Sequence, residues 1–225
     1  MEPTVPVPPV PVPPVLEPPV LVGELVRLRP IGPQDAEHMW EMLDDPEGNR
    51  MTGTTATFTR EQVDEWCATV AGREGRHDWA ITHGSDEYLG EIVLNEMDEH
   101  SRSANLRLAL RPGQRGRGFG GEAIELVLDH AFADAPGLGL HRVSLDVLSI
   151  NPRARMLYES LGFVTEGRLR EAHRDGEYWC DVILMGVLED DHRAARAEQA
   201  ARREADAEAA RAAQAARRAE RGDDR

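Results

Sequence analysis

A chain of 225 residues with 40% hydrophobic and 30% charged content can bury one ordinary core, and no apolar run approaches the roughly eighteen residues that a membrane-spanning helix needs. Its formal net charge of -15 argues against broad nucleic-acid binding and favours cationic partners. Prolines interrupt the N-terminus where a secretory signal would need a continuous apolar stretch, so a cytoplasmic location is expected, while Cys67 and Cys180 lack metal-like spacing and read as two ordinary thiols.

Residues 1–20 are dominated by proline and valine. Proline fixes φ and removes the amide donor, which predicts a disordered, extended arm. The folded domain is expected over residues 21–190. ELVRLRP, 24–30, alternates as a strand does, and from Pro33 onward Ala36, Met39, Trp40 and Leu43 fall on one helical stripe. Thr59, followed three residues later by Gln62, is a capping-box signature for a helix running to about Ala71. HDWAITH (77–83), YLGEIVLN (88–95) and SANLRLALR (103–111) predict a three-stranded meander. The period then changes between Gly118 and Ala133, where Ile124, Val127, Leu128 and Ala131 recur at helical spacing. HRVSLDVL (141–148) predicts another strand, NPRARMLYESLG a short helix ending at Gly162, and 163–188 a hairpin around Asp175-Gly176. Residues 191–225 are almost all Ala, Arg, Glu, Asp and Gln, which predicts a solvent-exposed helical or frayed tail without an apolar seam.

RPGQRGRGFGGEA, residues 111–123, gathers arginine and glycine between the third meander strand and the long helix. A helix N-terminus exposes unpaired amides at the positive end of the macrodipole, and glycines at 116, 118 and 120 let an anion approach the backbone. The expected ligand is a phosphate. A Walker loop is excluded, since no lysine followed by Ser or Thr is present there. A dinucleotide fingerprint fits poorly, because Asp146 lies too far on and antiparallel-looking strands come first.

Arg115, Gly118 and Gly120 spell R-x-x-G-x-G, and NPRARMLYESLGF (151–163) follows at a fitting distance with an N-x-x-A-x-x-x-Y-x-x-x-G-F pattern. Together these segments resemble the coenzyme A loop and the helix beyond it in the GNAT superfamily of acetyl-CoA-dependent N-acetyltransferases, over about residues 24–188. The Rim-type branch, ribosomal-protein N-terminal and spermidine acetyltransferases, is the nearest in pattern. The resemblance implies an α+β fold with a mixed, mostly antiparallel sheet of about seven strands, about four helices, and a splayed strand pair that holds the cofactor.

Carried over to this chain, the resemblance implies that backbone groups of Leu108, Ala109 and Leu110 face the cofactor arm and that Gln114, Arg115, Gly116, Arg117, Gly118, Phe119, Gly120 and Gly121 hold its diphosphate. Asn151 and Arg155 would complete the cofactor contacts, and the Tyr158 hydroxyl would protonate the departing thiolate. The Rim-type R-x-A-E pattern is here Arg102-Ser103-Ala104-Asn105, and asparagine cannot take a proton. Glu91 and Asp146 are therefore the candidate bases, with Glu96 behind them. Substrate contacts are expected from Asp44, Glu47 and Glu96, in an acidic setting suited to a small cationic amine, polyamine- or aminoglycoside-like. A protein N-terminus is the alternative acceptor, and a non-catalytic acyl-CoA sensor, favoured by Asn105, is the alternative of a different class. No metal, nucleic acid or membrane partner is expected, and a homodimer stays open.

Overall fold

The computed structural model describes residues 17–222. The arm expected over residues 1–20 lies outside them up to residue 16, as does the end of the tail from residue 223. From Glu17 the chain is already attached, because the Trp79 indole Nε1 donates to the Pro19 carbonyl at 2.8 Å.

Eight strands form one sheet: β1 (Leu21–Val22), β2 (Arg27–Pro30), β3 (His77–His83), β4 (Glu87–Asp98), β5 (Ser103–Leu110), β6 (Arg142–Leu148), β7 (Val164–Asp175) and β8 (Tyr178–Leu188). They lie in the order β1-β2-β3-β4-β5-β6-β8-β7, and every pair is antiparallel except β5 with β6. The expected strand from residue 24 starts later, at Arg27. The amides of Glu24, Leu25 and Val26 donate instead to the Glu122 carboxylate at 2.7, 2.8 and 2.7 Å, so they are not available to a ladder.

The helices are α1 (Ala36–Leu43), α2 (Pro46–Thr52), α3 (Arg60–Thr69), α4 (Phe119–Phe132), α5 (Pro152–Ser160) and α6 (Glu189–Gly222). The capping box at the start of α3 forms in both directions, with Gln62 N–H donating to Thr59 Oγ1 at 3.3 Å and Thr59 N–H to Gln62 Oε1 at 2.8 Å. Helix α2 was not expected, although Asp45 precedes it, Pro46 opens it and Gly53 closes it at φ +70°. On one side of the sheet α4 buries Ala123, Ile124, Val127, Leu128 and Ala131 against Trp79, Ile92, Leu94 and Leu106. On the other, Met39, Val63, Cys67 and Val70 cover Ala80 and Tyr88. The larger of these, Ile, Leu, Val and Met, contribute about 1.5–3 kcal/mol each when fully buried, and the alanines less.

Helix α6 begins directly after β8, inside the domain rather than as a free tail. His192 is buried, its Nε2 lies 2.8 Å from Asp129 Oδ1 on α4, and Arg196 pairs with the same carboxylate. Farther along, Glu204 and Glu208 are exposed. No helix among the described residues is long and apolar enough to cross a membrane.

Candidate active site

The parallel β5–β6 pair governs the site. Helix α4 carries the chain from the end of β5 to the start of β6, as a parallel neighbour requires. Pairing is confined to Ser103↔Arg142, Ala104↔Val143 and Asn105↔Ser144. Beyond Asn105, β5 stays paired with β4 to Leu110, and beyond Ser144, β6 stays paired with β8 to Leu148. The two halves of the sheet therefore part, and the β5 edge from Leu106 to Leu110 has no strand on its β6 side. A cleft of about 1290 Å³ opens at this split, walled by α2, the 111–121 loop, β4, β5, β6, α5 and part of β7.

At the loop, Gly118 caps α4 at φ +89° and Gly116 stands at φ +80°, a left-handed backbone that favours glycine. The first-turn amides of α4 follow at once, and they lack helical acceptors as in any α-helix. Gly116, Gly118, Gly120 and Gly121 all line the cleft, as do Leu108, Ala109 and Leu110. An unpaired strand edge for an amide-bearing arm and an open glycine turn for a diphosphate fit the shape and donor set of coenzyme A.

The expected arginines are placed differently from one another. Arg115 lines the cleft, but its guanidinium is paired with Asp45 and donates to the Leu110 carbonyl at 3.0 Å, bracing the loop against α2 and β5. Burial raises the Asp45 carboxyl, but the hydrogen bond and charge of Arg115 and the backbone hydrogen bonds from Gly48 and Glu47 together outweigh it, leaving the group below the usual aspartate value. Arg117 turns away to Gln114 Oε1 at 2.7 Å and to the Phe119 ring at 4.8 Å, while Phe119 is buried beneath. Arg155 pairs with Glu159 at 2.9 Å on the exposed face of α5. Gln114, Arg117, Phe119 and Arg155 thus lie off the cleft wall, because their side chains are engaged elsewhere.

Asn151 caps α5 by accepting from Ala154 N–H at 3.1 Å and holds α2 by donating from Nδ2 to the Met51 carbonyl at 3.2 Å. Tyr158 on α5 lies in the wall, its ring packed edge-on against Phe163 at 5.8 Å. Its hydroxyl makes no hydrogen bond among the described residues. Burial, with the Asp146 charge adding to it, pushes the phenol up to about 12, so it stays protonated and can donate.

The acids of the cleft come from β3, β4, β6 and α2. Glu91 on β4 sits in register between Ala80 and Ala109, whose small side chains leave its carboxylate room on the cleft face. Burial first, and then the neighbouring Asp78 charge, pushes Glu91 up to about 7, while Arg107 and Arg76 pull the other way. Asp78 is itself buried and gripped by Arg76 at 2.6 and 2.7 Å. Asp146 is exposed on β6 beyond the split, and Glu47 on α2 and Glu96 also line the cleft. Glu96 stands at φ +52° where the β4–β5 register shifts, so a bulge aims it at the site. Asp44 does not line the cleft; it is exposed at the C-terminal end of α1.

Not expected from the sequence are Asp78, Arg107 and Arg153, all three on the cleft wall. Strand alternation carried a signal for two of them, since Asp78 shares a face with Ala80, and Arg107 with Ala109. No group of three or more His, Cys, Asp or Glu suited to a metal occurs among the described residues.

Comparison with known proteins agrees with this geometry. A family model described as an acetyltransferase (GNAT) domain matches residues 26–164. Spermidine N(1)-acetyltransferase of Vibrio cholerae serotype O1 is 35% identical over 111 residues, a match that spans 49% of this chain and 62% of that protein. The uncharacterized N-acetyltransferase p20 of Bacillus licheniformis is 25% identical over 173 residues, 75% of this chain and 95% of that protein. In fold, the chain is similar to the crystal structure of spermidine N-acetyltransferase from Vibrio cholerae in complex with CoA and spermine. That likeness has a TM-score of 0.70 at 24% identity and covers 76% of this chain and 99% of that one.

Proposed function

Since the chain belongs to the GNAT acetyltransferase family, we propose that it moves an acetyl group from acetyl-CoA to a primary amine of a small cationic molecule of the polyamine kind, by direct attack with both substrates bound. The observation that supports this is the split between β5 and β6, where an unpaired strand edge, a glycine turn, Tyr158 and a set of carboxylates all line one cleft. Acetyl-CoA, when bound, supplies the thioester carbonyl and the thiol leaving group.

The chain's own residues then divide the work. Glu47, Glu96 and Asp146, exposed at the cleft, draw a cationic amine toward it by their summed negative field. Glu91, whose carboxyl is raised to about 7, takes a proton from the bound ammonium at its carboxylate oxygen and frees the neutral amine to attack the thioester carbonyl, the task that Asn105 cannot perform. Main-chain groups of Leu108 to Leu110 orient the arm and meet charge that develops on the carbonyl oxygen. Tyr158 delivers its hydroxyl proton to the departing sulfur.

A peptide N-terminus is the second acceptor. Arg107 favours it, since this exposed arginine in the cleft makes no ion pair among the described residues and suits a carbonyl or carboxylate better than a polycation. Incubating the protein with acetyl-CoA and a mixed set of polyamines, aminoglycosides and basic N-terminal peptides, followed by mass spectrometry, decides between them. Acetylated polyamine is the expected product; acetylated peptide alone would select the second acceptor, and coenzyme A binding without any product would select a sensor.

A further inference from the structure

We infer that Arg153 on α5, rather than the arginines of the loop, is the side chain that recognises the diphosphate of the cofactor; this rests on the function proposed above. Its guanidinium lies over the open face of Gly116, where an added Cβ would come within 2.1 Å of Nη2. Arg153 is exposed, lines the cleft and makes no hydrogen bond or ion pair among the described residues. Every other arginine of the loop and of α5 is engaged. Arg111 pairs with Glu41 and donates to the Tyr88 carbonyl at 2.9 Å, Arg115 is held by Asp45, Arg117 is turned onto Phe119 and Arg155 is held by Glu159.

The geometry gives Arg153 a target. Gly116, the α4 cap Gly118 and the first-turn residues Gly120 and Gly121 line the same cleft as the uncompensated guanidinium, so an anion bound at this end of α4 would meet a charged fork beside the positive end of the helix. Gly116 carries no side chain at the one place where a methyl group would push that fork away. The charge of Arg115 is compensated by Asp45, whereas an unpaired arginine in an acidic protein has its charge available.

The test is calorimetry and steady-state kinetics on the full chain with Arg153→Ala, Arg153→Lys and Arg155→Ala, using coenzyme A and dephospho-coenzyme A, which keeps the diphosphate but lacks the ribose phosphate. Loss of a hydrogen bond to a charged group predicts Kd values about ten- to a hundred-fold higher for both ligands in Arg153→Ala. Arg153→Lys should recover part of the loss, Arg155→Ala should match wild type, and kcat at saturating acetyl-CoA and Tm should hold. A Kd within about twofold of wild type overturns the inference. So does a loss seen with coenzyme A but not with dephospho-coenzyme A, which assigns Arg153 to the ribose phosphate, and so does a drop in Tm that accounts for the weaker binding. If wild type itself binds neither ligand, the function fails before Arg153 is in question.

Discussion

Glu91 stands in a row of three residues, Ala80, Glu91 and Ala109, on a sheet face that is otherwise covered by α1 and α3. Its value of about 7 lies above the ordinary glutamate range, so it takes up a proton on folding; the stability that goes with it is present in acid and lost as pH rises through about 7. Glu91→Gln should therefore gain stability relative to wild type more at pH 8 than at pH 5, measured by urea denaturation. In turnover the same substitution should lower kcat by about a hundred- to ten-thousand-fold and remove the acid limb of the pH profile. Asp78→Asn should move that limb to lower pH, because one of the two causes that raise Glu91 is gone. Tyr158→Phe should lower kcat by a similar factor with little change in KM for acetyl-CoA, measured by thiol release. The place of Tyr158 and Asn151 on the cleft wall was legible in the sequence because both belong to one spaced motif on α5 and its cap. The pairing of Arg115 with Asp45 was not, since the two are 70 residues apart and meet only through the packing of α2 on the loop.

Elements with local signals were read most fully. The α3 capping box is an example, and Thr59→Ala should cost about 1 kcal/mol in chemical denaturation, as loss of an N-cap does. Helix α4 showed its apolar period, and the Asp175-Gly176 turn showed its hairpin. Helix α2 went unread although Asp45-Pro46 and Gly53 mark its ends, because none of its residues is buried and so no apolar stripe announces it. The late start of β2 was beyond reach for another reason: its cause is Glu122, nearly a hundred residues downstream, whose carboxylate holds three amides that would otherwise extend the strand. Glu122→Ala should destabilise the domain by about 2 kcal/mol, within the range for hydrogen bonds to a charged acceptor.

Across the molecule, alternation predicts seven of the eight strands, β1 (Leu21–Val22) being too short to show it, and helical period predicts α4, but the point where β5 and β6 part is a property of the sheet as a whole. Three residue pairs join the halves in the ladder, and the cleft opens where that pairing stops. The docking of α6 is equally global: His192 and Arg196 reach Asp129 on α4, so the domain extends past the boundary that composition suggested. Ending the chain after Glu198 should leave Tm and turnover unchanged, whereas ending it after Asp191 should lower Tm by removing both partners of Asp129. The most direct measurement of the central claim is hydrogen–deuterium exchange of the full chain with and without coenzyme A. Slowed exchange confined to the amides of residues 106–110 and 114–121 is the predicted result; unchanged exchange in both segments, with saturating ligand present, would contradict the account.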